Sequence, residues 1–338
     1  MDDRLRFDHL ARLATPSGLF EHALGVTPRV EHGMCVDDVA RALIVAVRTP
    51  EPDAALVALT DVFLAFLRDA RAARGLLHNR RTAEGAWVDV PSSDDHWGRA
   101  LWAWGTAARR SSSASVVVEA RIAARDAMAA RSPHVRAMAY AALGAAHVLA
   151  VAPDDTHAFA LLADARTALR TDGPRPGAAW PYGRLTYANA VLPEAMVAIG
   201  DALGDDDLLR DGLTLLAWLV QEQTVGEHLS VVPAGGRASG DARPGFDQQP
   251  IEVACLAEAA STAWAATGDD RWLGVLGMCV AWFEGDNDSR LPMRDAATGG
   301  AFDGLHRGAV NANQGAESTL AWLATQQLGL AGVRVVSR

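Results

Sequence analysis

Carboxylates, amides and aromatic side chains cluster at six places where a polar segment runs into an Ala/Leu-rich stretch. The junctions are His32-Gly33-Met34-Cys35-Val36-Asp37-Asp38, Ser93-Asp94-Asp95-His96-Trp97, Arg131-Ser132-Pro133-His134, Arg184-Leu185-Thr186-Tyr187-Ala188-Asn189, Phe246-Asp247-Gln248-Gln249-Pro250-Ile251-Glu252 and Asn311-Ala312-Asn313-Gln314-Gly315-Ala316-Glu317. This mixture suits sugar hydroxyls, which both donate and accept, because carboxylates and planar amides offer partners of both kinds. Two carboxyls across a cleft also supply the acid and base of glycosidic bond cleavage. Asp38, Asp95, Glu252 and Glu317 are the catalytic candidates. Substrate contacts are expected from Asp37, Arg41, His96, Arg99, Tyr187, Asn189, Glu194, Asp247, Gln248, Gln249, His306, Asn313 and Gln314, with Trp97 and Trp180 stacking on sugar rings.

Each acid has a plainer reading as a helix cap or a first-turn partner of the helix dipole. Asp37 and Arg41 are spaced i,i+4 as a simple helix salt bridge, with Arg41 fixing Asp37, while Asp38 points about 100° away toward the cavity. What favours function is recurrence: several junctions also carry amides, aromatics or histidine, none of which capping requires.

Other chemistries are limited by composition. All 31 basic residues are arginine, so a lysine Schiff base and a phosphate loop ending in Gly-Lys-Ser/Thr are excluded. Cys35, Cys255 and Cys279 are widely spaced in apolar context and read as buried hydrophobes rather than disulfide or zinc partners. No His-Glu-x-x-His pair or Gly-x-Ser-x-Gly elbow occurs, and Glu284-Gly285-Asp286-Asn287-Asp288 lacks the remainder of a calcium loop. Neither a metal nor a cofactor is expected. A net charge of -10 without a basic run argues against nucleic acid or an anionic membrane as partner. The charged N-terminus has no signal-peptide core and no run of about 18 apolar residues is present, so a cytoplasmic protein is expected.

The elements that must position these residues are almost all helices. Periodicity and Ala-rich content predict twelve, near 3–14, 35–48, 53–73, 95–109, 115–130, 134–150, 155–170, 188–203, 206–222, 250–267, 269–284 and 314–328. Strand-like alternation is confined to Leu229–Val232 and Val333–Val336. The intervals from Asp37 to Asp95, Asn189 to Glu252 and Glu252 to Glu317 are 58, 63 and 65 residues, against 38 from His96 to His134. Such a period suits one helical hairpin with a long loop, and a lone hairpin cannot bury its apolar side. The expectation is an all-α (α/α)6 toroid, or barrel, of six hairpins in a single domain over residues 1–338. Long loops near 75–94, 171–187, 223–249 and 285–313 would gather at one end. They carry Trp87, Trp180, Tyr182, Phe246 and Phe302 and would form the walls of a cleft.

The stretches His32–Leu43, Asp95–Gly105, Trp180–Glu194, Phe246–Glu252 and Phe283–Leu320 resemble a bacterial family of the six-hairpin glycosidase-like superfamily. Asp303-Gly304-Leu305-His306 followed by Asn313-Gln314-Gly315-Ala316-Glu317-Ser318 is the most specific part. The resemblance, which spans nearly the whole chain, implies an (α/α)6 barrel with a carbohydrate-active site, but no assigned catalytic pair. Members are often labelled glycosyltransferases, yet the parallel strands and Gly-rich turns of a nucleotide-sugar fold are absent from this sequence.

The expected function is therefore a glycoside hydrolase, inverting, acting on a short oligosaccharide or glycoconjugate. One carboxyl would come from the first two hairpins and one from the last two, taken to lie across the ring. Two alternatives stay open: a sugar epimerase or isomerase using His96 or His306 as acid/base, and a non-catalytic glycan-binding module.

Overall fold

A computed structural model describes residues 5–171, 180–238 and 240–336. Twelve α-helices occur among them: α1 (Asp8–Leu13), α2 (Val36–Arg48), α3 (Ala54–Asp69), α4 (Asp95–Arg110), α5 (Ala114–Ala127), α6 (Val135–Leu149), α7 (Thr156–Thr171), α8 (Val191–Leu203), α9 (Asp206–Glu222), α10 (Pro250–Thr267), α11 (Arg271–Phe283) and α12 (Ala316–Val336). The even-numbered helices touch in the cyclic order α2, α4, α6, α8, α10, α12 and back to α2. The odd-numbered helices pack outside them, each against the inner helix of its own hairpin. The sixth hairpin joins the two ends of the chain, because α1 packs on α12.

Patterning explains which helix goes where. Outer α3 buries Leu56, Thr60, Phe63, Leu64 and Leu67, a stripe at helical spacing, and exposes its other side. Inner α4 is buried continuously from His96 to Ala108, as befits a helix surrounded on all sides. Small residues let these inner helices approach closely. A methyl added at Gly105 would fall on the backbone of Gly144, one added at Gly144 on that of Leu101, and one added at Gly98 on that of Ala137.

Acids at helix starts divide into two populations. On outer helices they cap: Asp53 Oδ1 accepts from Leu56 N at 2.8 Å, Asp155 Oδ1 from Ala158 N at 3.0 Å and Asp205 Oδ1 from Leu208 N at 3.1 Å. Inner α2, α4, α8 and α10 have no side-chain cap. Their first-turn acids therefore have other partners, described below.

Connections are asymmetric. Segments 49–53, 111–113, 150–155, 204–205 and 268–270 close one end tightly, while 14–35, 70–94, 180–190, 223–238, 240–249 and 284–315 crowd the other. The long loops form small ladders, such as Met34–Cys35 with Arg80–Arg81 and Gly304–His306 with Ala309–Asn311. Part of the anticipated 171–187 loop lies outside the described residues. Two strand expectations change: only His228–Leu229 pairs, with Thr224–Val225, and Val333–Val336 continues α12. Extending an existing helix adds one backbone hydrogen bond per residue, whereas an isolated strand would have no ladder partner. Among the described residues no helix is long and apolar enough to cross a membrane.

Glycine contacts inside the ring give a direct test of its packing. Gly144→Ala is expected to lower unfolding free energy by about 1–3 kcal/mol through overpacking, while Gly274→Ala on outer α11, with open space around it, is neutral or stabilising by up to about 1 kcal/mol. Urea denaturation of the two variants measures the contrast.

Candidate active site at the N-terminal mouth

All six junctions lie where inner helices begin, so the parallel ring brings them to one mouth. Arg41, two turns into α2, stands at the joint where the ring closes. Its Nη1 donates to Asp38 Oδ1 at 2.5 Å and its Nη2 to Glu317 Oε2 at 2.7 Å. Asp38 is 2 % exposed, and its other oxygen accepts from Cys35 Sγ at 3.2 Å. Burial pushes the Asp38 carboxyl up to about 7 against the pull of Arg41. One cation thus faces two acids, and a proton on the buried one balances the group. Glu317 is the open member, with its side chain 41 % exposed.

The simple Asp37–Arg41 salt bridge is not formed, because Arg41 is taken by Asp38 and Glu317. Asp37 instead meets Arg99 Nη1 at 3.3 Å and accepts from Asn79 Nδ2 at 3.0 Å. Buried Arg99 donates to Tyr140 Oη at 3.1 Å, and its guanidinium lies over the Tyr140 ring at 4.7 Å. Half-buried Asp95 follows on α4. Burial raises its carboxyl above the ordinary range, opposed by Arg136, while the Asp37 charge adds to the rise. Arg136 lies over the Tyr187 ring at 4.4 Å and donates to Thr186 Oγ1 at 2.8 Å.

Glu252 completes the arc in a closed setting. It accepts from Ala188 N and, at 2.9 Å, from Asn189 Nδ2. Asn189 is fixed in turn, since its Oδ1 accepts from Thr186 N at 2.9 Å. Burial drives the Glu252 carboxyl up to about 7, with Asn189 and Ala188 pulling the other way. Glu252 ties the start of α8 to α10 and has no open oxygen, so its geometry is that of a brace.

Several expected binding residues are engaged in the scaffold. Trp97 is fully buried and donates Nε1 to Ala127 O at 3.2 Å, leaving no face for a sugar. Trp180 stacks on Trp218 of outer α9 at 5.8 Å. His96 Nε2 contacts Leu77 O at 2.9 Å. Gln314 is held by Asp295 and Thr298 at 2.8 and 2.7 Å, and Asn313 Oδ1 accepts from Gly25 N at 2.9 Å. Gln248 donates to Asp288 at 2.6 Å. Asp247, whose carboxyl is raised by burial, stays near exposed His306, and Gln249 is half-buried at the start of α10. Glu194 faces the opposite mouth, where Thr262 Oγ1 donates to it at 3.0 Å.

Sequence reading missed Arg136, Tyr140, Glu21 and Asp303. Arg136 stands only two residues beyond His134 of the third junction, a usable signal; Tyr140 lies one turn deeper. Glu21 pairs with Arg80 and its carbonyl accepts from Ala316 N at 2.9 Å, while Asp303 Oδ1 accepts from Gly315 N at 2.7 Å. Both pin the start of α12, Glu21 across a sequence separation that no local pattern marks and Asp303 from within the motif that carries the family resemblance.

With this geometry in view, the chain resembles solved structures along its whole length. A cellobiose 2-epimerase from Spirochaeta thermophila superposes with TM-score 0.71 and 12 % identity over 100 % of this chain and 95 % of the other. A cellulase of C. cellulolyticium bound to cellobiose gives 0.64 and 8 % over 93 % and 88 %. A GH76 alpha-mannanase from Bacteroides thetaiotaomicron gives 0.61 and 10 % over 90 % and 88 %. The fold of this chain is the (α/α)6 barrel of these structures. No family profile and no curated protein sequence matches the chain.

Glu252 makes the site's internal support measurable. Its carboxyl moves from 4.5 to about 7 on folding, so between those pH values the unfolded chain has released a proton that the native state keeps. Stability from this group is therefore greatest below about 4.5 and declines by roughly 3 kcal/mol as pH rises to about 7. Glu252→Gln removes that decline, and at low pH costs about 1–3 kcal/mol because its single amide oxygen can serve only one of the two donors, leaving its NH2 against the Ala188 N–H or the Asn189 NH2. Chemical denaturation across the pH series reads both effects.

Proposed function

We propose that the chain is a carbohydrate-active enzyme, and specifically an inverting glycoside hydrolase with Asp95 as acid and Glu317 as base. The observation that carries this reading is the division between closed and open acids at one mouth. Asp38 and Glu252 are buried with both oxygens bonded, whereas Asp95 and Glu317 are accessible and differ in environment. Burial favours the protonated form of Asp95, as an acid requires. Glu317 is oriented by an arginine and exposed, as a carboxylate that activates water requires.

In the proposed step, Asp95 gives its proton to the glycosidic oxygen as the bond to the anomeric carbon breaks. Water attacks that carbon from the opposite face and passes its proton to Glu317. The two residues are not directly across the ring, as the sequence suggested: α4 and α12 both flank α2. Adjacent inner helices spaced by about 8–10 Å put α4 and α12, second neighbours in the ring, about 14–17 Å apart at their axes. That leaves room for side chains reaching inward and a water between them, as inversion needs at about 6.5–9.5 Å between carboxyls. Tyr187, 38 % exposed and backed by Arg136, is the aromatic surface for the sugar. The superposing structures include both glycosidases and sugar epimerases, which supports a carbohydrate substrate. Hydrolysis is preferred because, of the two histidines of the epimerase alternative, His96 is bonded to Leu77 O inside the wall and His306 is exposed at the end of the Gly304–His306 strand beside Asp247.

A glycan panel followed by NMR in D2O tests the reaction class: hydrolysis gives cleaved products of inverted anomeric configuration with no deuterium on carbon, and carbon-bound deuterium overturns the reading. On the confirmed substrate, Asp95→Asn and Glu317→Gln should each lower kcat by about 10²–10⁴ with KM little changed. Full turnover in both variants would remove the assignment.

A further inference from the structure

A cavity of about 840 Å³ opens at the other mouth, where the inner helices end. Alanines on five inner helices, including Ala46, Ala198 and Ala265, leave the space. Around them stand groups that the proposed hydrolysis does not use. Arg48 Nη1 donates to Glu258 Oε1 at 2.5 Å, with both side chains largely buried. Buried Glu194 lies beside Glu258 and accepts from Thr262 Oγ1 at 3.0 Å. Arg109 meets His147 Nδ1 at 3.1 Å, and Arg48 lies over Trp102 at 5.8 Å. Gln327 lines the same space and is 8 % exposed. Its amide nitrogen donates to Val45 O and Thr49 Oγ1 at 2.8 and 2.9 Å, while its Oε1 has no partner among the described residues.

We infer that this C-terminal mouth is a second ligand site, built for a small neutral polyol such as a monosaccharide. The volume falls in the range of small-molecule sites, about 300–1,000 Å³. The charges favour a neutral ligand: Arg48, Arg109 and Arg110 face Glu51, Asp61, Asp201 and Glu258, so an ion of either sign meets its like. The polar groups call for hydroxyls. Arginine N–H groups seek acceptors, while Glu258 seeks donors, and a hydroxyl is both. Burial and the Glu258 charge hold Glu194 in its protonated form, and burial and the surrounding arginines push His147 down to about 3, so it is neutral. Both neutral groups then add a donor and an acceptor without adding charge.

Saturation-transfer NMR and crystal soaking with D-glucose, D-mannose, D-galactose and myo-inositol, with spermidine and inorganic phosphate as charged controls, test the site, using wild type, Ala198→Trp and Thr262→Val. At least one probe is expected to show density against Glu194, Glu258 and Arg48. Its affinity should fall more than about tenfold in Ala198→Trp, equivalent to at least about 1.4 kcal/mol, and by less in Thr262→Val. Matched unfolding midpoints show that the variants fold. Equal binding of every probe by wild type and Ala198→Trp overturns the proposal, as does Ala198→Trp-sensitive binding confined to spermidine or inorganic phosphate. The inference is independent of the hydrolase reading: Asp95→Asn leaves this binding intact, and Ala198→Trp leaves the other mouth intact.

Discussion

Parallel alignment of six inner helices constrains nearly everything else in this molecule. Every N-terminus points to one mouth and every C-terminus to the other, so the macrodipoles, roughly half a charge at each helix end, add rather than cancel. Acids at the N-terminal mouth occupy the first turns of α2, α4, α10 and α12, while Arg48, Arg109, Arg110 and His147 occupy last turns of α2, α4 and α6. This polarity favours carboxylates at one mouth and cations at the other before any specific contact forms. It also makes the N-terminal mouth a place where carboxyls can be numerous without mutual repulsion dominating.

Closure of the ring depends on contacts that no local pattern could display. The sixth hairpin is assembled from opposite ends of the chain, and Arg41 joins α2 to α12 across 276 residues. Around it, Glu21 and Asp303 fix the start of α12 through its backbone amides. These interactions have a shared consequence. Arg41, which closes the toroid, also orients Glu317 and bonds the buried Asp38, so ring closure and site assembly are one event. Loss of the Arg41 guanidinium would leave two acids facing each other at the seam.

The helices and their arrangement were largely legible in the sequence because periodicity, Pro/Gly breaks and repeat spacing agree with one another. The location of the site was legible for a different reason: its acids recur at helix starts. Individual roles were much less so. Asp37 and Arg41 have ideal i,i+4 spacing, yet Arg41 turns to Asp38 and Glu317, because a buried charge takes the partners that tertiary structure supplies. Trp97 reads as a sugar platform from its neighbours His96 and Asp95, but one position along a helix turns the side chain by about 100° and into the wall. Capping, the rival explanation for the acids, proved to be a property of the outer helices. Asp53, Asp155 and Asp205 cap there, whereas the inner-helix acids bind arginines, asparagines and each other's supporting loops.

Between the two mouths a chain of contacts runs through polarizable groups. Asp37 meets Arg99, Arg99 meets Tyr140, Tyr140 stacks on Trp102 at 5.8 Å, and Trp102 lies under Arg48, the partner of Glu258. Tightly packed interiors leave little freedom to move one of these rings without moving its neighbour, so the same side chains that support Asp37 at one mouth are held in place by the Arg48–Glu258 pair at the other.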